Sequence, residues 1–418
     1  MVFFNSFPTE ADVTGRSKDM PWVIETLLDT DLYKFTMLQA FYHSSEFKGA
    51  NAEWKFKCRN PENKNLQKLI PEIRRQFDHL CTLRFRGDEI RYLETLGFFK
   101  SSFLDYLTTV RLEMKNVSIL PDGDDIELRF HGPLLPVTLF EIYGLSIINE
   151  VYTSANFPQP DYEAGRRRLY EKIGLLRRRG HPEDLKIADF GTRRRFNRLW
   201  HEWVLDILKH EIPENLAGTS NVHLARELGL TPIGTMGHEW FQAWQAVTRP
   251  EEAQQAALEA WVREYRGELG IALTDCYSME AFCRDFDLSF GKRYDGLRHD
   301  SGDPIAWGER SIRLYENLGI EAKTKSLVFS DGLTFEKILE LYDHFRHRIK
   351  TGFGIGTTLT NDLGYEPLNI VIKMVACNGR PVAKISDAPG KSMCEDMNYL
   401  ENLARLYQID DWQPCANI

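Results

Sequence analysis

The second half of the chain repeats one pattern, in which a short apolar run ends in glycine, serine, threonine or aspartate. From about Leu185 these runs include LKIADFG, LAGTSN, PIGTMGH, IALTD, SLVFSDG and KTGFGIGT, and helical stretches separate several of them. Strands that alternate with helices form βα units and a parallel sheet. Polar residues at the carboxyl ends of the strands predict a (β/α) barrel with its active site at that face. Uneven spacing predicts a distorted barrel, and a doubly wound open sheet is the competing architecture.

The first third of the chain has a different pattern of apolar and charged residues. Residues 52–59 alternate between apolar and charged side chains, and Ile126–Phe130 repeats the pattern. Period two with charge on one face is typical of a half-exposed strand in an antiparallel sheet. Helices are predicted at Leu27–Tyr42, Leu66–Phe77 and Asp88–Leu96. These patterns predict an α+β domain for residues 1–150.

A hairpin is predicted near the C-terminus, where Asn378-Gly379 separates two apolar runs. We expect this hairpin to join the first sheet. The predicted organisation is therefore an α+β domain of residues 1–150, rejoined by residues 366–418, and an irregular α/β barrel of residues 151–365 that carries the active site.

Composition narrows the function classes. A chain of 418 residues is long enough for one large or two medium domains, and its net charge of −9 argues against a dedicated nucleic-acid binder. Its seven cysteines include no C-x-x-C pair, which indicates reduced thiols rather than disulfides or a zinc site. No secretory leader and no apolar run of membrane-spanning length are recognised. We expect a cytoplasmic protein with small-molecule partners and a flexible arm at residues 1–21.

Two polar clusters follow predicted strands. In DFGTRRR (Asp189–Arg195), planar guanidinium groups suit a carboxylate or a phosphate, and a solvated charge run is the alternative. In RHDSGD (Arg298–Asp303), two carboxylates could organise Mg²⁺ or ribose hydroxyls. The same pair could serve as the acid and base of a glycosidase, or the segment could be a turn that caps the next helix.

A third cluster, KTGFGIGTTLT (Lys350–Thr360), has the composition of a phosphate cradle, because its glycines leave backbone N–H groups open to an anion. It matches neither G-x-G-x-x-G nor a Walker loop. Asp331-Gly332 should lie alongside. His238 in GTMGHEW is by itself an inert helix cap, but among these clusters it becomes a candidate reactive group. Together, the phosphate cradle, the arginines, the carboxylates and the histidine favour transfer chemistry on a phosphorylated sugar over redox or acyl transfer.

With these blocks in view, the sequence resembles the nicotinate phosphoribosyltransferase family, in its compact bacterial and fungal form. The blocks span nearly the whole chain in the family's order: DTDLYKFTM, DFGTRR, GTSN, GTMGHEW, LTDCY, RHDSGD, FSDG and GFGIGTTLT. The resemblance implies a type II phosphoribosyltransferase barrel and an ATP-dependent ligase of NAD biosynthesis. Such an enzyme joins nicotinate to 5-phosphoribosyl-1-diphosphate, with Mg²⁺, and couples ATP hydrolysis through a phosphohistidine.

The resemblance also implies roles for individual residues. His238 matches the phosphorylated histidine, and Phe190 and Tyr33 match aromatic rings that flank the pyridine. In relatives the segment that carries Tyr33 comes from the partner subunit, which implies a homodimer with shared active sites. No residue is assigned as a direct Mg²⁺ ligand. The remaining implied site residues are Asp300 and Asp303 near the ribose and the metal-diphosphate, and Arg193, Thr235, Arg298, Ser301, Asp331, Gly332, Gly354, Gly356 and Thr357 around the substrates.

Ser220 bears on the choice of substrate. The related nicotinamide enzymes carry an aspartate at this position of GTSN. An acidic side chain accepts the amide N–H₂ but repels a carboxylate, so serine predicts nicotinate. Four alternatives stay open at this point: a nicotinamide or a quinolinate phosphoribosyltransferase, a glycosidase that uses Asp300 and Asp303, and an RNA-binding protein that uses the arginine runs.

Overall fold

The computed structural model describes residues 20–409, apart from residues 61, 63, 181 and 388–391. The arm expected at residues 1–21 lies outside the described residues except for its last two positions. The elements of the N-terminal part are, in order, α1 (Leu32–His43), β1 (Asn51–Cys58), α2 (Ile70–Thr82), α3 (Gly87–Thr95), α4 (Ser101–Thr109), β2 (Val117–Asp122), β3 (Asp125–Pro133), α5 (Leu134–Val137) and α6 (Phe140–Asn156).

The rest of the chain alternates helices with short strands before it ends in a hairpin and a last helix. Its elements are α7 (Tyr162–Arg178), β4 (Lys186–Asp189), α8 (Arg198–Glu211), β5 (Leu216–Thr219), α9 (Val222–Leu228), α10 (His238–Gln245), α11 (Ala253–Tyr265), β6 (Ile271–Leu273), α12 (Met279–Asp285), α13 (Leu288–Arg293), β7 (Gly296–His299), α14 (Pro304–Asn317), β8 (Ser326–Phe329), α15 (Phe335–Phe345), β9 (Lys350–Ile355), α16 (Thr357–Thr360), β10 (Ile370–Cys377), β11 (Arg380–Pro381) and α17 (Met397–Leu406).

The first sheet is antiparallel, with strand order β11-β10-β1-β3-β2. The period-two pattern of β1 is confirmed, because Ala52, Trp54 and Phe56 are buried while the residues between them are partly exposed. The Asn378-Gly379 turn is also confirmed. Both residues have positive φ, 50° and 70°, which is the backbone that a tight hairpin turn requires. Strand β10 therefore returns the chain to β1, whereas the limits predicted for the two domains stay a prediction.

The second sheet is parallel, with strand order β5-β4-β9-β8-β7-β6. Residues 231–235 fill the gap between the two edge strands. The Ile233 N–H donates to Thr219 O of β5 at 2.8 Å, and the Thr235 hydroxyl donates to Ile271 O of β6 at 3.0 Å. The sheet thus closes through a segment that is too irregular to be a full strand. This arrangement is the distorted barrel that the sequence predicts, in preference to an open sheet.

Helices α5 and α6, with only the turn residues Thr138 and Leu139 between them, cover Leu134–Asn156, a span of 23 residues that includes an 18-residue window with a mean hydropathy of 1.4. The prediction that no run is long and apolar enough to cross a membrane is therefore wrong for this segment. Its apolar surface is covered by the protein, since 89% of its most apolar window is buried. Two of its polar side chains hold the turn after β4, with Ser146 Oγ donating to Thr192 O at 3.0 Å and Asn149 Nδ2 to Arg195 O at 2.5 Å.

Candidate active site

The carboxyl ends of the barrel strands open into a cavity of about 560 Å³. Both parts of the chain form its walls. The barrel contributes the strand-end segments, whereas the antiparallel sheet contributes Lys373 of β10 and Arg59, the residue that follows β1. Most of the residues singled out in the sequence line this one space: Tyr33, Phe190, Arg193, Ser220, His238, Arg298, Asp300, Asp331, Gly332, Gly354, Gly356 and Thr357.

Among the described residues, four cations of the cavity wall have no carboxylate within ion-pair distance. In the part of the chain that the structure describes, Arg193, Arg194, Arg298 and Lys373 form no ion pair, and Arg298 Nε has no hydrogen-bond partner. Burial, together with the charge of Arg193, lowers the pKa of Arg194 to about 10. Burial also lowers the pKa of Lys373 to about 8, and the nearby cations Lys384 and Arg193 add to the effect. Buried cations are normally paired, so this wall is built for an anionic ligand.

His238 begins helix α10 and faces two carboxylates. Its Nε2 lies 2.8 Å from Asp275 Oδ1 and 3.6 Å from Asp300 Oδ2. Burial and the charge of Lys384 lower the pKa of His238 to about 4, although both aspartates oppose the shift. The ring is therefore neutral at pH 7. With Nε2–H donating to Asp275, Nδ1 keeps its lone pair. Among the described residues no hydrogen bond engages Nδ1, which makes it a nucleophilic nitrogen.

Asp275 is the centre of this cluster. Its Oδ2 accepts hydrogen bonds from Ser301 Oγ at 2.6 Å and from Lys384 Nζ at 2.8 Å. Burial alone would raise the pKa of Asp275, but the charges and hydrogen bonds of Lys384 and His238 hold it well below the usual value. Asp275 is therefore a fixed negative charge behind the His238 ring.

Sequence reasoning missed Asp275 and both lysines. Asp275 carried a signal, because it follows the apolar run of β6 in LTDCY. The lysines carried none. Lys373 reads as an outward charge on an alternating strand, and Lys384 is 109 residues from the aspartate that it binds.

The two aromatic residues of the resemblance, Tyr33 and Phe190, both line the cavity. Glycines allow these rings to approach the backbone. A Cβ on Gly354 would lie 2.3 Å from the Phe190 ring, and one on Gly237 would lie 3.1 Å from the Tyr33 ring. The Tyr33 hydroxyl donates to Glu141 Oε2 at 3.2 Å.

Comparison with known proteins agrees with this arrangement. The sequence model of the nicotinate phosphoribosyltransferase family matches residues 185–411, and that of the family's N-terminal domain matches residues 28–149. The chain belongs to the nicotinate phosphoribosyltransferase family. The nicotinate phosphoribosyltransferase of Psychromonas ingrahamii is 58% identical over 390 residues, covering 93% of this chain and 96% of the relative. That of Xanthomonas axonopodis pv. citri is 52% identical over 391 residues, covering 93% and 98%.

Solved structures of the same family share the fold. The crystal structure of nicotinate phosphoribosyltransferase from Vibrio cholerae has a TM-score of 0.89 and 38% identity, covering 94% of this chain and 95% of that one. The structure from Porphyromonas gingivalis has a TM-score of 0.85 and 35% identity, covering 93% and 100%. The fold and the family expected from the sequence blocks are therefore confirmed.

Within this member of the family, the segment that carries Tyr33 belongs to the same chain as the cavity. The sequence predicts that residues 27–31 form the first turn of α1. In the structure they lie outside the helix, against the end of β5. Leu32 N donates to Ser220 O at 2.8 Å, and Thr36 Oγ1 donates to Thr235 O at 2.6 Å. These bonds anchor the chain's own α1 at the cavity, whereas the sharing of active sites between subunits that the resemblance implies stays a prediction. The homodimer itself stays a prediction.

The arginine run of DFGTRRR divides in two. Arg193 and Arg194 line the cavity, but Arg195 is fully buried behind it. The Arg195 guanidinium binds both oxygens of Asp29, at 2.7 and 2.8 Å, and Glu150 Oε1 at 2.6 Å. Arg195 therefore ties the segment before α1 to the turn after β4, and only two of the three arginines face a ligand.

Three predicted site residues do not line the cavity. Thr235 turns its hydroxyl to Ile271 O, and Ser301 supports Asp275 from behind. Asp303 is the N-cap of α14, where its Oδ1 accepts from Ala306 N at 2.7 Å. The capping turn that competed with the catalytic reading of Asp303 is thus what the structure contains. Asp300 and Asp303 accordingly do not face each other across the cavity as a glycosidase pair would.

Ser220, the serine that predicts nicotinate as the substrate, has an acidic neighbour at its end of the cavity. Ser220 Oγ donates to Asp31 Oδ1 at 2.7 Å, and both side chains line the cavity. The segment before α1 therefore brings a carboxylate, Asp31, next to the serine that predicts nicotinate.

Proposed function

We propose that the protein transfers the phosphoribosyl group of 5-phosphoribosyl-1-diphosphate to nicotinate, forming nicotinate mononucleotide, a precursor of NAD, and diphosphate. Membership of the family supports the overall reaction. The observation that carries the proposal is the set of unpaired cations Arg193, Arg194, Arg298 and Lys373, which share one cavity with Phe190 and Tyr33. A substrate pair with one carboxylate, three phosphate groups and one aromatic ring matches that wall.

In the proposed reaction the pyridine nitrogen attacks C1 of the ribose while the C1–O bond to diphosphate breaks. The sugar passes through a cationic, oxocarbenium-like state, and the electron pair of the broken bond leaves with diphosphate. The residues of the chain chiefly position the reactants. The rings of Phe190 and Tyr33 would hold the pyridine, and the arginines its carboxylate and the phosphates. Gly354, Gly356 and Thr357, at the end of β9, would hold the 5-phosphate.

We further propose that ATP phosphorylates His238. Nδ1 attacks the γ-phosphorus, the bond to the β-phosphate oxygen breaks, and ADP departs with that electron pair. The ring that results carries a proton on Nε2 and a phosphoryl group on Nδ1, and the Asp275 carboxylate at 2.8 Å stabilises its positive charge. The added phosphoryl charge would order the cavity mouth for substrate binding. Hydrolysis by water would return neutral His238 and release phosphate.

The family implies Mg²⁺, and residues of the cavity fit it. Ligand atoms of His238, Asp275 and Asp300 lie within 4.8 Å of one another. Carboxylate oxygens are ligands that Mg²⁺ prefers. Because Lys384 already neutralises Asp275, Asp300 is the more available of the two carboxylates. When bound together with substrate phosphates, the ion supplies charge stabilisation for the departing diphosphate.

The test is mass-resolved product formation from 5-phosphoribosyl-1-diphosphate with nicotinate, nicotinamide or quinolinate, with and without ATP. We expect nicotinate mononucleotide from the first base and stimulation by ATP. Conversion of nicotinamide or quinolinate in preference to nicotinate would overturn the substrate assignment.

The phosphohistidine is tested on the same protein. Incubation with γ-labelled ATP should give an adduct that is labile in acid and stable in base. His238→Asn should abolish both the adduct and the ATP stimulation while slow ATP-independent transfer remains. An unchanged adduct in His238→Asn would refute the assignment of this residue.

A further inference from the structure

The end of the cavity at Ser220 holds an acidic group where an anionic substrate is proposed to bind. Asp31 is 3% exposed and Ser220 is 4% exposed. The hydroxyl of Ser220 donates to Asp31 Oδ1 at 2.7 Å, and the backbone of Asp31 pairs with that of Asn221. The two side chains therefore form one buried unit that the cavity reaches from a single side.

The position of the hydrogen between Asp31 and Ser220 decides whether Ser220 can donate a hydrogen bond to a ligand. When Asp31 is ionised, the hydroxyl hydrogen points at Asp31, and Ser220 presents only lone pairs to the cavity. When Asp31 is protonated, its own hydrogen is donated to Ser220 Oγ, and the hydroxyl hydrogen becomes free for an acceptor. A carboxylate needs that donor, whereas a carboxamide N–H₂ is satisfied by the lone pairs.

The surroundings of Asp31 make its neutral form accessible. Burial raises the pKa of Asp31, although the charge of Arg193, the hydrogen bond from Ser220 and the neighbouring Thr192 hydroxyl act against the shift. Asp189, on the same segment as Arg193, raises it further. Tyr33, in the first turn of α1, is a further titratable neighbour, and burial holds its pKa well above the ordinary value, so it stays neutral. A second carboxylate brought next to Asp31 raises the pKa again, as it does wherever two carboxylates share a site.

We propose that Asp31, acting through Ser220, is a specificity-determining residue that takes up one proton when a pyridine carboxylate binds and so selects the acid over the amide. This inference rests on the proposed function, which brings the nicotinate carboxylate to Arg193 and Ser220. The proton comes from solvent, stays on Asp31 while the carboxylate is bound, and returns to solvent when the nucleotide leaves. Ser220 is thus a donor to nicotinate only because Asp31 is protonated.

The uptake of a proton by Asp31 fixes the direction in which the affinity for nicotinate changes with pH. Bound nicotinate favours protonated Asp31, so affinity is highest below the pKa of Asp31 in the free protein. Affinity falls as the pH rises from that value to the higher pKa of the complex, by up to about tenfold per pH unit for one proton. Nicotinamide, which is neutral and donates to the Ser220 lone pairs while Asp31 is ionised, lacks this decline. The ratio of kcat/KM for nicotinate to that for nicotinamide should therefore fall with rising pH.

Lys373 is the rival cause of the same trend. Its pKa of about 8 lies in the working range, and loss of its charge would also weaken an anion. Asp31→Asn and Lys373→Arg separate the two. Asp31→Asn keeps the shape of the side chain and removes its titration. Asp31 makes no side-chain hydrogen bond to the N-terminus of α1, so the substitution removes no capping bond from the helix. Lys373→Arg keeps a charge that no longer titrates.

The experiment is a pH profile of KM for nicotinate in the wild type and in both variants, with kcat followed separately. We expect KM to rise with pH in the wild type and in Lys373→Arg, and to be flat in Asp31→Asn. A rise that persists in Asp31→Asn but disappears in Lys373→Arg, or a flat wild-type profile, would overturn the role of Asp31. A wild type that forms no nicotinate mononucleotide would instead remove the proposed function, and this inference with it.

Calorimetry gives a second measurement that does not depend on the folding of Asp31→Asn. Nicotinate is titrated into wild-type protein and into Lys373→Arg in two buffers of different ionisation enthalpy. We expect uptake of close to one proton in both proteins. Absence of uptake in Lys373→Arg would refute the proposal.

Discussion

At the scale of single residues, the chemistry depends on the contacts that fix His238 in one protonation state. Asp275 accepts from Nε2, and Ser301 and Lys384 hold the other oxygen of that carboxylate. This order resembles the way in which a buried carboxylate orients the histidine of a serine protease. The carboxylate does not react; it selects the tautomer and stabilises the charge that the ring acquires.

Replacement of Asp275 tests this arrangement. In Asp275→Asn the amide N–H₂ can turn to His238 and donate to Nε2, which places the ring hydrogen on Nδ1 and removes the nucleophilic lone pair. We expect the rate of phosphohistidine formation from ATP to fall by about a hundredfold or more, while ATP-independent transfer changes much less.

Ser311→Ala is a suitable control, because Ser311 is buried on α14 and its hydroxyl donates to Trp307 O of its own helix. Its phosphorylation rate should match the wild type. Equal phosphorylation of Asp275→Asn and the wild type would show that Asp275 does not orient the ring.

At the scale of elements, β9 shows how a glycine-rich strand shapes the site. Gly352 and Gly354 are two residues apart on the same strand, but only Gly354 faces an aromatic ring. A Cβ at Gly354 would lie 2.3 Å from Phe190, whereas one at Gly352 would lie 3.9 Å from Val328, an ordinary contact distance. The glycines of this motif therefore do different things, and the one nearest Phe190 allows the ring to lie against the strand.

We expect Gly354→Ala to displace Phe190 and to raise KM for nicotinate by about tenfold or more, since overpacking of this kind costs roughly 1–3 kcal/mol. Gly352→Ala is the matched control and should keep a KM close to that of the wild type. Steady-state kinetics with nicotinate as the varied substrate, combined with thermal melts of both variants, measure the difference. Similar KM values for the two variants would contradict the packing argument.

Elements were predictable from the sequence where one local pattern decides them. The alternation in β1, the Asn378-Gly379 turn and the strand-end clusters each depend on a few neighbouring residues, and the structure contains all three. The start of α1 was misplaced because Asp29 binds Arg195 and Asn221, a tertiary contact that holds residues 27–31 out of the helix. Lys373 and Lys384 were missed for a related reason. The pairing of β10 with β1 brings Lys373 to the barrel, and the segment of Lys384 is held there by Ile385 N, which donates to Cys276 O at 2.8 Å.

At the scale of the whole molecule, one chain either supplies every residue of its active site or shares the site with a partner subunit. The resemblance implies that a partner supplies Tyr33, but the structure anchors the chain's own Tyr33 beside Gly237 and Glu141. Lys34, the next residue, forms a buried ion pair with Glu141 at 2.5 Å and contacts Glu239 of α10. Breaking a buried pair of this kind typically costs about 3–5 kcal/mol, which opposes release of α1 to a neighbouring subunit.

Mixing two inactive variants tests this geometry. Tyr33→Ala and His238→Asn each remove one side chain of the same cavity, the first from α1 and the second from α10. If each chain completes its own site, a denatured and refolded equal mixture should show only the sum of the two residual ATP-stimulated activities. If sites were shared between subunits, random pairing in a dimer would restore one intact site in half of the molecules, which is about a quarter of all sites by the symmetry of the assembly. We expect no such recovery in nicotinate mononucleotide formation. Recovery approaching a quarter of wild-type activity would show that Tyr33 acts across a subunit interface and would return the partner to the site.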